Sequence, residues 1–118
     1  MSPLFAGILY KVPFFIIKKL IEEHNANVNM ISKDNLRPLN AAIGTDNLEI
    51  IKLLVNNQVE INIPAQIKEG KWYEGVLDPC VRVYGREKIL KYLLDNNLNS
   101  NLRCNYGMNA LEICIINN

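Results

Sequence analysis

Four short passages of this chain can be laid over one another, and internal repetition of this kind constrains the architecture before any single residue does. One frame runs from Ser2-Pro3-Leu4-Phe5 to Ala26-Asn27-Val28-Asn29, and a second from Arg37-Pro38-Leu39-Asn40 to Val59-Glu60-Ile61-Asn62. A third closes on Leu98-Asn99-Ser100-Asn101, and a fourth opens on Asn109-Ala110-Leu111-Glu112. The closing asparagines Asn29, Asn62 and Asn101 stand 33 and then 39 positions apart, one period followed by a period with six inserted residues. Repeats of this length are single supersecondary units, each too small to bury its own apolar face, so neighbouring units must stack.

The residues within a frame predict two short antiparallel helices and a turn. Ser2-Pro3 reads as a hydroxyl N-cap followed by proline at the first helical position, where a missing N–H costs nothing. Asn109 with Glu112, and Asp46 with Glu49, have capping-box spacing. Leu48, Ile51, Leu54 and Val55 form one apolar helical stripe, and Ile89, Leu90, Leu93 and Leu94 another. Ser32-Lys33-Asp34-Asn35 is a polar turn in which Asn35 tolerates the left-handed conformation. Asn29, Asn62 and Asn101 are expected to satisfy backbone groups of their own loops.

The third frame departs from the others. It carries an insertion, Lys68-Glu-Gly-Lys-Trp-Tyr-Glu-Gly75, and its first helix is displaced to begin at Asp78-Pro79 as N-cap and first residue. Little more than one turn remains before Gly85. An enlarged loop on one face of a repeat array is often part of its binding surface. Trp72 is expected to fold back over the shortened helix, with a binding anchor as the alternative, and Tyr73 is expected to stay exposed.

Pro38-Leu39, Ala42, Leu48-Glu49-Ile50-Ile51, Leu53-Leu54 and Ile61-Asn62 fall in one ungapped frame that resembles the ankyrin repeat, and Tyr106-Gly107-Met108-Asn109-Ala110-Leu111-Glu112 begins another. Asn35, Arg37, Asn40 and Asp46 depart from that family's usual glycine, threonine, histidine and glycine. The resemblance implies an all-α ankyrin-type helical repeat solenoid with short β-turn or hairpin connections. It implies a single domain over residues 1–118, with repeats expected at 1–34, 35–67, 68–103 (inserted loop 68–75) and a partial one at 104–118. It also implies a protein–protein interaction module, an adaptor or inhibitor, that uses turn tips and the exposed side of the first helices as a concave face. Carried over by position, that face comprises Tyr10, Lys33, Asp34, Leu36, Thr45, Val83, Tyr84, Asn105, Tyr106 and Met108, and the insertion adds Trp72 and Tyr73. In the family the closing asparagine can be hydroxylated, which the resemblance extends to Asn29, Asn62 and Asn101. The competing reading is a truncated or degenerate fragment of a longer repeat protein, without independent activity.

Charge and chemistry narrow the remaining classes. A net charge of +1 gives no overall attraction to nucleic acid or an anionic membrane, so neither is expected as a partner. No apolar run approaches the roughly 20 residues that span a bilayer, and Lys11 and Pro13 interrupt the stretch Leu4 to Ile17, whose apolar character is superficially that of a signal peptide. His24 follows Glu22-Glu23 at a helix end with no nucleophile placed to use it, and the six glycines are scattered rather than gathered into a phosphate-binding loop. Arg82, Arg86, Lys88 and Lys91 read as a solvated face interrupted by Gly85. No enzyme activity, cofactor or metal is expected.

The three cysteines fit no zinc spacing and imply a reduced, cytoplasmic setting, with Cys80 and Cys114 in the core and Cys104 exposed in a turn. Asparagine supplies 17 of 118 residues, which fits AT-rich coding of the kind found in some viruses and intracellular bacteria and would make that cytoplasm a host's. Met1 leads straight into the first helix, and Asn118 follows the first helix of the fourth unit. Phe14 and Phe15 near one end, and Ile113, Ile115 and Ile116 near the other, are therefore expected to be partly uncovered, with self-association through uncapped ends.

Overall fold

The structure, a computed structural model, describes residues 2–116; Met1 and Asn118, named above at the two ends, lie outside the described residues, as does Asn117. It divides into two compact units, with the boundary between Glu60 and Ile61.

The first unit contains two helix pairs: α1 (Pro3–Leu9) with α2 (Phe14–Glu22), and α3 (Pro38–Gly44) with α4 (Leu48–Asn56). The Ser2 hydroxyl accepts the Phe5 N–H at 3.1 Å, as its position before Pro3 predicts. Asn47, not Asp46, caps α4 by accepting the Ile50 N–H at 3.1 Å. Asp46 is instead left-handed, at φ 55°, and Lys11 has the same conformation at the end of α1. In both places the next residue's N–H reaches back to close the preceding helix, Val12 to the Gly7 carbonyl and Asn47 to that of Ala42, a C-terminal capping pattern that needs a left-handed residue. Termination of α3 therefore occupies Asp46 and passes the cap to its neighbour.

The second helices end by the same device. Asn25, Gln58 and Asn97 are all left-handed, and they repeat at the spacings of 33 and 39 that the closing asparagines show. α1 packs on α3 and α2 on α4, burying Leu4, Ile8, Ile17, Leu39, Ala42, Ile43, Ile51 and Leu54. Each of these leucine and isoleucine side chains contributes about 1.5–3 kcal/mol by leaving water.

The second unit contains a hairpin, β1 (Gln66–Lys68) and β2 (Lys71–Tyr73), a 3-10 helix (Pro79–Arg82), α5 (Arg86–Asp95) and α6 (Ala110–Ile115). The insertion is thus an ordered antiparallel hairpin that starts two residues before Lys68. The shortened helix is the single 3-10 turn, ended before Gly85, and it packs on α5, as does α6. The Asn109–Glu112 capping box forms in both directions. Val76, Leu77, Ile89, Leu90, Leu93 and Ile113 make the core.

Two of the closing asparagines, Asn29 and Asn62, do not act locally. Asn29 Oδ1 accepts the Glu60 N–H at 2.7 Å while its Nδ2 donates to the Gln58 carbonyl, so it bridges two successive loops of the first unit. Asn62 repeats the pattern in the second unit, accepting from Asn99 N–H at 2.7 Å and donating to the Asn97 carbonyl at 3.0 Å. One carboxamide thereby supplies both an acceptor and a donor to the next closing loop, which an ionised aspartate, an acceptor only, could not match. Of the residues expected to be uncovered, Phe15 and Ile115 are exposed, Phe14 and Ile116 are half-buried, and Ile113 is buried.

Candidate functional site

Each turn tip is a small hairpin whose backbone pairs with itself. In the first unit the Ser32 N–H and the Leu36 carbonyl bond at 3.1 Å, and the Ser32 hydroxyl accepts the Leu36 N–H at 3.0 Å. Left-handed Asn35 allows the turn, at φ 61°, and holds Lys33 and Asp34 exposed at its tip. In the second unit Cys104 and Met108 occupy the positions of Ser32 and Leu36, bonded N–H to carbonyl at 2.9 Å, with Gly107 left-handed in place of Asn35. Asn105 and Tyr106 then form the tip, Tyr106 at 73% exposure.

The residues expected on the surface divide by burial. Tyr10, at the end of α1, is 72% exposed, Tyr84 is 100% exposed, and Leu36 is exposed at its margin. Met108 is half-buried. Thr45 is also half-buried, and its hydroxyl donates to the Ala41 carbonyl at 2.8 Å, so it completes the end of α3. Val83 is a correction: it is 5% exposed, because the chain turns extended after the 3-10 helix and points this side chain inward while Tyr84 points out. Trp72 and Tyr73 reverse their expected roles, Trp72 being exposed and Tyr73 half-buried. Ile67, paired with Trp72 across the hairpin and equally exposed, is a surface residue that sequence reasoning missed. The Glu69-Gly70 turn is the signal that could have found it, since a two-residue turn sets the register.

Asp78 does not cap the 3-10 helix. It is the one buried charged residue among those described, and its two carboxylate oxygens accept the Gly75 N–H at 2.6 Å and the Asn105 N–H at 2.8 Å. It thus joins the base of the hairpin to the tip that carries Tyr106. The basic residues nearby are engaged: Arg82 pairs with Glu74 at 2.9 Å, and Arg86 donates to the Val83 and Ile116 carbonyls.

The first unit also holds a largely apolar cleft of about 290 Å³, lined by Pro3, Leu4, Leu20, Ala26 and Met30, with Ser2, His24 and Asn27 at its polar edge. Among the described residues, no group of three or more His, Cys, Asp or Glu side chains could hold a metal ion, and no helix is long and apolar enough to cross a membrane.

The thiols also differ from expectation. Cys104 is buried and Cys114 is the more accessible, because the turn hairpin directs position 104 inward. Burial, then the nearby Cys114 thiol and Asp78 carboxylate, push the Cys80 thiol from 9.0 up to about 12; burial and then Glu87 raise that of Cys114. Iodoacetamide at pH 8 is therefore expected to modify Cys114 first, and Cys80 and Cys104 only after unfolding, as read by intact mass. Because the fold favours the neutral Cys80 thiol, its contribution to stability is complete below about pH 9 and is lost as the pH rises through about 12. Early modification of Cys80 in the folded protein would contradict this.

Comparison with known proteins decides the architecture. The chain aligns over 96% of its length with the ankyrin repeat domain of Bcl-3, a member of the IkappaB protein family, at a TM-score of 0.71 and 19% identity, covering 46% of that chain. The fold is that of an ankyrin-repeat protein. Two curated relatives have ankyrin repeats in their names as well: ankyrin repeat and SAM domain-containing protein 6 of Rattus norvegicus is 26% identical over 105 residues, and that of Mus musculus 25% identical. Each match takes in 89% of this chain and only 11% of the relative's length. Alpha-latrocrustotoxin-Lt1a of Latrodectus tredecimguttatus is 34% identical over 47 residues, 40% of this chain and 3% of the toxin. No family model matches the chain.

These comparisons give the chain the ankyrin-repeat fold, a stack of packed helix pairs. In ankyrin repeats the turn tips project from a scaffold of packed helices. Lys33-Asp34 and Asn105-Tyr106 are those tips here, and the β1–β2 hairpin is a lengthened one.

Proposed function

We propose that this protein holds a protein partner through its turn tips and the exposed sides of its first helices, the concave-face mode of ankyrin arrays, and so acts as an adaptor or inhibitor. The observation that carries the reading is the full exposure of Tyr84, with Tyr106 also outward in the same unit and Tyr10 in the other. Tyrosine has a broad apolar ring with one polar tip and is enriched at interface hot spots. Lys33, Asp34, Leu36, Asn105, Met108 and Trp72 join them in this proposal, with Thr45 and Tyr73 at its half-buried edge. The repeat divisions at 1–34, 35–67, 68–103 and 104–118, a cytoplasmic setting, and a protein rather than nucleic acid or membrane as partner belong to the same proposal, supported by the repeat spacing and the net charge of +1.

The test is affinity capture with the intact chain, identification of the bound protein by mass spectrometry, and titration of that protein in purified form. Tyr84→Ala combined with Tyr106→Ala is expected to weaken binding about tenfold or more, with far-ultraviolet circular dichroism unchanged. Unaltered affinity would refute the proposed surface, and loss of helicity would assign the rings a structural role.

A further inference from the structure

The inserted hairpin differs from the other tips in what it leaves unmatched. Glu69 and Gly70 are both left-handed, at φ 51° and 76°, the pattern of a two-residue turn that follows strand twist. That turn sets the pairs Gln66 with Tyr73, Ile67 with Trp72, and Lys68 with Lys71. Successive strand side chains point to opposite faces. Gln66 and Tyr73 are half-buried, so their face seats the base of the ribbon on its own unit, and the Ile67–Trp72 pair is turned out to water. At the tip, Lys68 and Lys71 stand directly opposite one another, an arrangement in which like charges oppose strand pairing. Among the described residues neither has a carboxylate within ion-pair distance, whereas Arg82, Lys91 and Arg103 of the same unit each do. Two ammonium groups outside any ion pair, with the single Glu69 carboxylate in the turn between them, thus border an exposed apolar pair.

We infer that this hairpin docks an extended acidic segment of a partner protein, with an aliphatic or aromatic side chain laid on Ile67 and Trp72 and flanking carboxylates meeting Lys68 and Lys71. The inference rests on the proposed function and adds the chemistry of the partner. A carboxylate between the two lysines replaces their mutual repulsion with attraction, so docking favours the strand pairing that the free hairpin's charges oppose. Lys68 and Lys71 share the face of Gln66 and Tyr73, and their long flexible stems bring the charges round the edge of so narrow a ribbon toward Ile67 and Trp72. A neutral segment would leave the lysines unmatched, and a basic one would be repelled.

Trp72 is the sole tryptophan of the chain, so its emission reports this site directly. The full chain is titrated with a blocked decapeptide of glutamates around a central leucine-phenylalanine pair, and with its lysine counterpart. A saturable blue shift with the acidic peptide and none with the basic one is expected. Lys68→Glu together with Lys71→Glu should weaken the acidic peptide at least about tenfold and turn the preference to the basic one. Equal shifts with both peptides, or no effect of charge reversal, would overturn the inference. So would a shift with phosphatidylserine vesicles but not with the acidic peptide, or a shift on concentrating the chain alone. Loss of partner capture by the Tyr84 and Tyr106 variant, with neither peptide bound, would overturn this inference and leave the broader surface standing.

Discussion

Replacing Asp78 with alanine is expected to cost about 3–5 kcal/mol of stability, because two backbone donors lose a charged acceptor at once. Asp78 is 4% exposed, and its Oδ2 accepts the buried Gly75 N–H while its Oδ1 accepts the Asn105 N–H. A buried donor left without a partner costs roughly 1–3 kcal/mol, which applies in full to the buried Gly75 N–H and in part to the part-buried Asn105 N–H. Asp78→Asn retains one acceptor oxygen but aims an NH2 group at the other N–H, so it should fall at about half the cost. Urea unfolding followed by Trp72 fluorescence measures both. A midpoint for the alanine variant within about 1 kcal/mol of the parent would show that the two bonds contribute little. The effect should reach the surface as well, since the Asn105 N–H lies beside Tyr106 and its anchoring holds that tip in place.

Gly75→Ala is expected to be comparably severe, about 3 kcal/mol or more, for a steric reason. A Cβ at position 75 would lie 2.5 Å from Ala65 N and Pro64 C, and closer still to the Ile63 carbonyl oxygen. These are main-chain atoms, and Ile63 is held there by the Val76 N–H at 2.9 Å, so no side chain can rotate aside to make room. The two strands leaving the hairpin must separate or the Gly75–Asp78 bond must break. Gly75→Ala and Asp78→Ala should therefore be non-additive, with the double variant costing less than the sum of the singles. Strict additivity in a double-mutant cycle would indicate that the methyl group is absorbed elsewhere. A cost below about 1 kcal/mol for Gly75→Ala alone would mean that the strands leaving the hairpin tolerate separation.

Much of the scaffold could be read from the residues because its signals are local. Ser2 before Pro3, Asn109 with Glu112, and left-handed Asn35 depend on chemistry within four positions, and all three appear as expected. Where two neighbours competed for one role, local chemistry was insufficient. Asp46 and Asn47 can both cap a helix, and the ending of α3, which needs a left-handed residue at Asp46, made the choice. Cys104 lies in a turn, yet this hairpin alternates its side chains inward and outward, so a turn position was no guide to exposure.

The candidate surface was less legible, and register explains most of the difference. Trp72 and Tyr73 are adjacent, so placing one outward places the other inward; a shift of one residue exchanges their roles. The same parity separates buried Val83 from exposed Tyr84. Ile67 could enter the surface only once the hairpin pairing set it opposite Trp72.

Period and helix pairs were therefore contained in the order of residues along the chain, since repetition and capping act over short separations. The direction of each surface side chain, the bridging by Asn29 and Asn62, and the two-sided role of Asp78 depend on partners between 3 and 37 positions away. Those partners meet only when the backbone has folded, because a hydrogen bond requires both groups within about 3 Å and in line, a condition that spacing in sequence cannot express.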